Sequence, residues 1–346
     1  MTKMLDEIFQ QPAVLGGIES ANEKTLNALV EDLNARKISH ALLAARGSSD
    51  HAAIYGKYLL GVYKGIVSGL AMPSVITSYD SKPNMSQDLV IGISQSGRAA
   101  DAIAVLEAAN AQGGITVAIT NNTESPLAKI AKYHLYCNAG LEESVAATKT
   151  FTAQLYLLAL LTAYWSANEQ LLDDLRKFPE SLKQAIESIN ALAAASVARY
   201  RYVTEGFILA RGFCYPIAME MALKTQETCY VKMQGHAISD FYHGPMAQVT
   251  PDVPVIVLAP QGKSFKDAEE VIEKITAIGA QILVITDDKA LAKKHDHSVL
   301  LPVANSEATS VFMYTVFAQC FAQSLSISKG LNPDAPRLLK KVTITK

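Results

Sequence analysis

The 346-residue chain predicts an α/β fold of two tandem, doubly wound parallel sheets with a helical N-terminal extension. Three observations carry that prediction. The strand candidates Ala41 to Ala44, Leu89 to Ile93 and Ile115 to Ile119 are near-continuous apolar runs, which suit strands covered on both faces of a parallel sheet. Helix-length segments separate them, giving the strand and helix alternation of right-handed crossover units. The chain also repeats itself: Ala45-Arg46-Gly47 returns as Ala210-Arg211-Gly212 and Gly97 as Gly262, both 165 residues on, and Thr120 returns as Thr286 at 166. Each landmark ends or follows a strand candidate, so the collinear matches mean two copies of one unit.

In chain order, residues 1 to 37 read as one or two helices packed outside the first sheet. The first strand ends at a turn containing Ser48 and Ser49. The strand Leu89 to Ile93 runs into Ser94-Gln95-Ser96-Gly97 and then into a helix-like Arg98 to Ile103. A strand that ends where a helix begins points unpaired amides into the turn, and two serine hydroxyls can join them. Gly97 lets the backbone approach a ligand, and with no lysine in the loop the cradle suits a phosphomonoester rather than a nucleotide clamp. Crossover handedness places both serine turns at the carboxyl edge of the sheet. Phe151 to Trp165 is apolar but too short to span a bilayer, and is expected to be a buried helix.

A polar, helix-prone stretch from about Ala167 to about Arg201 separates the copies, giving a first domain over 1–180 and a second over 195–346. The second copy reads Ala259-Pro260-Gln261-Gly262 where the first has its serines, so the cradle is expected only in the first. Pro216 opens a helix carrying Glu220, Lys224 and Glu227 on one face. Gly235 to Pro245 then reads as a shaped loop rather than a strand, with His243 as a candidate acid or base. His51, His236 and His295 are expected to be structural.

Composition excludes several classes. A net charge of -2 and a pI near 6.4 leave no electrostatic footprint for nucleic acid or an anionic membrane. Cys137, Cys214, Cys229 and Cys320 are scattered without metal spacing and read as reduced core thiols. Asp6 and Glu7 stand where a signal peptide would be apolar, so a cytoplasmic protein is expected.

The combination of Glu7-Ile8-Phe9-Gln10-Gln11-Pro12, Arg46-Gly47-Ser48-Ser49, Ser94-Gln95-Ser96-Gly97, Glu142 with Ser144 to Lys149, and the His243-Gly244-Pro245 loop resembles the sugar isomerase (SIS) domain family. Within it, the chain is most similar to the isomerase part of glucosamine-6-phosphate synthases and to the deaminases built on the same fold. The resemblance implies flavodoxin-like sandwich domains and a homodimer in which His243 reaches the neighbouring subunit's site. It implies that Ser48, Ser49, Ser94, Gln95, Ser96 and Arg98 hold the sugar phosphate, and that Val145, Ala147 and Thr148 close over it. Glu227 matches the base that moves a proton between C1 and C2, work suited to an ionised carboxylate beside an acidified carbon. His243 matches the ring opener, imidazole being the side chain that exchanges protons near neutrality. Lys341 matches the lysine that meets the open-chain carbonyl, and Lys224 a second active-site lysine. No metal or other cofactor is implied.

Two departures direct the expected activity. The synthases place a glutaminase with an N-terminal cysteine ahead of the isomerase part, whereas this chain starts Met1-Thr2 and enters the isomerase part directly, so no ammonia supply is expected. Arg98 stands where synthases typically carry a glutamate, as in the deaminase and deglycase branch, and Ala99 lacks their hydroxyl. The expected reaction is glucosamine 6-phosphate and water to fructose 6-phosphate and ammonia. The alternatives are a fructosamine-6-phosphate-type deglycase and a non-catalytic sugar-phosphate sensor.

Overall fold

The computed structural model describes residues 2–341; Met1 and 342–346, the outer ends of the two domains drawn from the sequence, lie outside the described residues. The elements follow in chain order: α1 (Lys3–Phe9), α2 (Gln11–Ala35), β1 (His40–Ala44), α3 (Ser48–Leu59), β2 (Val67–Leu70), α4 (Pro73–Thr77), β3 (Leu89–Ile93), α5 (Ala100–Asn110), β4 (Ile115–Thr120), α6 (Pro126–Ile130), β5 (Tyr133–Tyr136), α7 (Lys149–Ser166) and α8 (Glu169–Ser196). After them come β6 (Glu205–Ala210), α9 (Tyr215–Cys229), β7 (Lys232–Ala237), α10 (Ile238–Phe241), β8 (Val255–Ala259), α11 (Phe265–Ile278), β9 (Ile282–Thr286), α12 (Lys289–Lys294), β10 (Ser298–Leu300) and α13 (Glu307–Ser328).

Two compact units result. The first-copy unit comprises 10–142, 147–179 and the tail from 340, and the second-copy unit comprises the residues up to Phe9, 143–146 and 180–339. The division is therefore not linear. It falls inside α8, and α1 groups with the second copy rather than outside the first sheet as the sequence suggested. The physical reason lies in α1 itself: Met4 and Ile8 are fully buried, and Asp334 caps the helix by accepting the Lys3 and Met4 amides at 2.9 Å each.

The first-copy sheet has the order β2-β1-β3-β4-β5 and the second-copy sheet β7-β6-β8-β9-β10. Every pairing is parallel, so the same topology is built twice, as the repeat requires. β3, β4 and β8 are buried at every position, which is what their unbroken apolar runs predict. This strand order reverses direction between its first and third strands, and the carboxyl edge there is where ligands sit in such sheets.

Two local expectations are corrected. α5 begins at Ala100, not Arg98, because Ala99 remains extended behind Gly97 at φ +62°. Gly235-His236-Ala237 is the end of β7 rather than loop, pairing with Ile208 to Ala210 of β6. Gly235 permits this: an added Cβ would stand 2.6 Å from the Met219 Cα, so only glycine lets the strand lie this close to α9.

Sixteen residues of α7 are buried, and all four cysteines are free and buried. Among the described residues α13 is long and apolar enough to cross a bilayer, yet 89% of that stretch is buried inside the protein, so it is a core helix.

Candidate functional site

In the first-copy unit, β1 and β3 are neighbours, with Ala44 opposite Gly92, so the turns that follow them share one sheet edge. Ser48 and Ser49 open α3 behind Gly47 at φ +58°. Ser49 and Ser94 are buried, Gln95 and Ser96 half-buried, and Arg98 exposed. The Ser96 hydroxyl accepts the Arg98 amide at 3.3 Å and the Ser94 carbonyl accepts the Gly97 amide at 3.0 Å, closing a tight turn. Amides at the start of a three-turn helix, with hydroxyls beside them, attract a phosphate dianion through dipole and hydrogen bonds together.

The next strands buttress this turn. The Asn121 amide donates to the Gln95 carbonyl at 2.9 Å; the Asn121 side chain accepts from Ala139 at 2.9 Å and donates to Gly140 at 2.7 Å. Two residues on, the buried Glu142 carboxylate accepts the Thr148 amide at 3.0 Å, the Thr150 amide at 3.1 Å and the Thr150 hydroxyl at 2.7 Å. Lys341 closes the cluster with an ion pair of 2.5 Å to Glu142. Burial alone would push the Glu142 carboxyl up, but Lys341 and the Thr150 donors outweigh it and hold the group below the usual carboxylate range. Thr148 is thereby fixed by its own neighbours, Ala147 is half-buried beside it, and Lys341 is tethered rather than free in the tail.

In the second-copy unit, α9 starts with Pro216 in its first turn. The Lys224 ammonium lies 3.4 Å from Glu220 and 2.5 Å from Glu227. The side chains of Lys224 and Glu220 are 0% exposed and that of Glu227 21%, so Glu227 is the one of the two carboxylates that solvent reaches. This is not a surface pair of negligible worth. Burial disfavours the charge on Lys224, yet the two carboxylates prevail and hold it well above the ordinary lysine range. A carboxylate held in place through its Oε2 by Lys224 and still reached by solvent is equipped for proton transfer at carbon.

His243 is exposed, its amide donating to the Asp240 carbonyl at 3.0 Å. It lines a cavity of about 250 Å³ with Arg211, Ser239, Tyr242, Asp267 and Glu270, and no residue of α9 contributes to that wall. Val145 is half-buried next to Ser144, whose hydroxyl donates to the Glu7 carboxylate. His236 stacks at 5.9 Å from both Phe207 and Phe241, a structural setting. Among the described residues no group of three His, Cys, Asp or Glu side chains is placed to hold a metal.

The structure thus gathers the serine turns at one edge, ties Thr148 and Lys341 to one carboxylate, and unites Lys224 with Glu227. Reading the sequence missed Asn121 and Glu142 as members of these clusters. Glu142 left a signal, an acid six residues ahead of a helix start rich in threonine; Asn121 left none.

The chain belongs to the SIS domain family, whose model matches residues 4–164 and 205–329. It is 33% identical over 340 residues to the glutamine--fructose-6-phosphate aminotransferase (isomerizing) of Methanothermobacter thermautotrophicus, covering 98% of this chain and 56% of that protein. The chain therefore spans little more than half the length of such relatives. The C-terminal domain of glucosamine-fructose-6-phosphate aminotransferase from Francisella tularensis superposes with a TM-score of 0.84 at 25% identity, over 97% of this chain and 98% of that one. A glucosamine-6-phosphate deaminase from Thermotoga maritima shares the fold, with a TM-score of 0.76 at 22% identity over 99% of this chain and 100% of that one.

Proposed function

We propose that the protein is a phosphosugar isomerase that works on an amino sugar in the catabolic direction, converting glucosamine 6-phosphate and water to fructose 6-phosphate and ammonia. The observation that carries the reading is the cluster on α9, in which a buried Lys224 forms an ion pair with the solvent-accessible carboxylate of Glu227. The serine turns at the carboxyl edge of the first-copy sheet supply a phosphate cradle, and Arg98, in place of the glutamate typical of synthases, favours the deaminating direction. His243 takes the proton from O1 and delivers one to O5 to open the pyranose. Glu227 removes the C2 proton, which the adjacent aldehyde acidifies, and returns a proton to C1, leaving a ketimine at C2. Water adds to C2 and ammonia departs, giving the ketose. Val145, Ala147 and Thr148 cover the sugar, and Lys341 stabilises the open chain. The working form is a cytoplasmic homodimer in which His243 serves the neighbouring subunit.

Ammonia release from glucosamine 6-phosphate, with fructose 6-phosphate followed by a coupled assay in the same tube, tests the reading. Equal amounts of both products are expected. Binding of the sugar phosphate without turnover sinks the deaminase assignment and leaves a deglycase or a sensor.

A further inference from the structure

The second copy has its own version of the cradle, and it is filled from within the chain. The loop after β8, Gln261-Gly262-Lys263-Ser264, leads into the fourteen-residue α11, as the serine loop after β3 leads into α5. The Glu307 carboxylate lies on that loop: Oε2 accepts the Lys263 amide at 3.1 Å and Oε1 the Ser264 hydroxyl at 3.3 Å. It reaches the glycines as well. A Cβ on Gly262 would overlap this carboxylate, where one on its first-copy match Gly97 would overlap the uncharged Ser125 side chain; a Cβ on Gly212 would stand 3.6 Å from Oε1, whereas one on its match Gly47 would meet no atom within 4 Å.

Glu307 opens α13 behind the cap residue Ser306, just as Lys149 opens α7 behind Thr148. The repeat therefore exchanges a cation for an anion at this point, and Lys149 turns instead to Gln10, at 2.7 Å. A second exchange accompanies it: Asn121 of the first copy is Asp287 in the second, a buried carboxyl accepting the Gln261 amide at 2.7 Å. Both changes put negative charge where the first copy has none.

We infer that the second copy is a cradle of the same architecture whose anion is the chain's own Glu307, so that the protein carries one open phosphate site and one internally occupied one. The inference rests on the reading of the first-copy turn as a phosphate cradle. An anion on the loop amide and at the start of a helix replaces the dianion a ligand would bring. The occupied cradle also locks the start of α13 to the start of α11.

Hydrogen exchange of the peptide spanning residues 260–270, measured in the full-length protein, reads the second cradle alone and needs no turnover. In the unaltered protein that peptide is expected to be protected equally in chloride and in inorganic phosphate of equal ionic strength. In the double variant Glu307→Ala, Asp287→Asn, protection is expected to fall about tenfold in chloride and to return in phosphate. Continued protection in chloride, or loss that phosphate does not reverse, overturns the inference. Should the double variant not fold, Glu307→Gln keeps the side chain's volume without its charge. Exchange of the same peptide about tenfold faster then supports the inference, and unchanged exchange overturns it. Failure of the sugar-phosphate reading would appear separately, in the ammonia assay.

Discussion

Glu227 and Lys224 show how burial changes the meaning of a residue pair. Spacings of three and four along α9 are equally those of a solvated surface triad, and only the complete burial of Glu220 and Lys224 marks the cluster as a device. Replacing Glu227 by Gln is expected to lower kcat by about a hundredfold or more with sugar-phosphate binding kept; turnover within a few-fold of the original, measured by the coupled assay, removes it from the proton-transfer role. Lys224→Met should act differently. It strands Glu220 without its counter-ion and costs about 3–5 kcal/mol of stability, read by urea denaturation. Glu142 carries a pH signature. Its carboxyl is held below the ordinary 4.5, so its contribution is present above that pH and is lost as pH falls through the lower folded value. Glu142→Gln should therefore lower stability at neutral pH while flattening the loss between pH 5 and the acid range; parallel stability curves for the two proteins would refute this. Asn121 was not legible as a cluster member, because partners brought together by the fold leave no periodic trace; Glu142 left the threonine-rich helix start just after it, but its pairing with the distant Lys341 left nothing to read.

Elements were easier to read than their junctions. The unbroken apolar runs of β3 and β4 announce strands covered on both faces, and both were bounded to within one residue. The errors fell where tertiary contact overrides local chemistry. Glycine and histidine at 235 and 236 look like loop residues, yet β6 offers an edge to pair with and α9 lies too close for any side chain at 235. α1 was misassigned for a similar reason, since its apolar face does not say which core buries it. Gly235→Ala tests the α9 and β7 contact directly. With a backbone atom at 2.6 Å from the new Cβ, neither element can yield by moving a side chain, and a loss of about 1–3 kcal/mol is expected. Because α9 carries Glu227, kcat should fall along with the melting temperature. A variant as stable and active as the original would mean that α9 and β7 can separate without cost.

At the scale of the whole molecule, duplication made the architecture legible, and divergence between the copies is the basis of the proposed division of labour. One repeat recovered both sheets, and the serines present in one copy and missing from the other are what point to the proposed cradle. What a single chain leaves outside its sequence pattern is the company it keeps. His243 is exposed and borders a cavity to which α9 contributes nothing, the placement expected of a group that serves another subunit. In a two-fold dimer this proposal has a consequence that a group acting within its own subunit does not share. His243→Asn and Glu227→Gln should each be nearly inactive alone. Mixed by joint refolding or co-expression, they form heterodimers in which one site combines the intact Glu227 of one chain with the intact His243 of the other, while the second site has lost both. Random pairing makes half the dimers mixed, each with one working site of two, so activity is expected to recover to about one quarter of the unmutated level. If His243 served its own subunit, every site in the mixture would carry one lesion, and mixing would restore nothing.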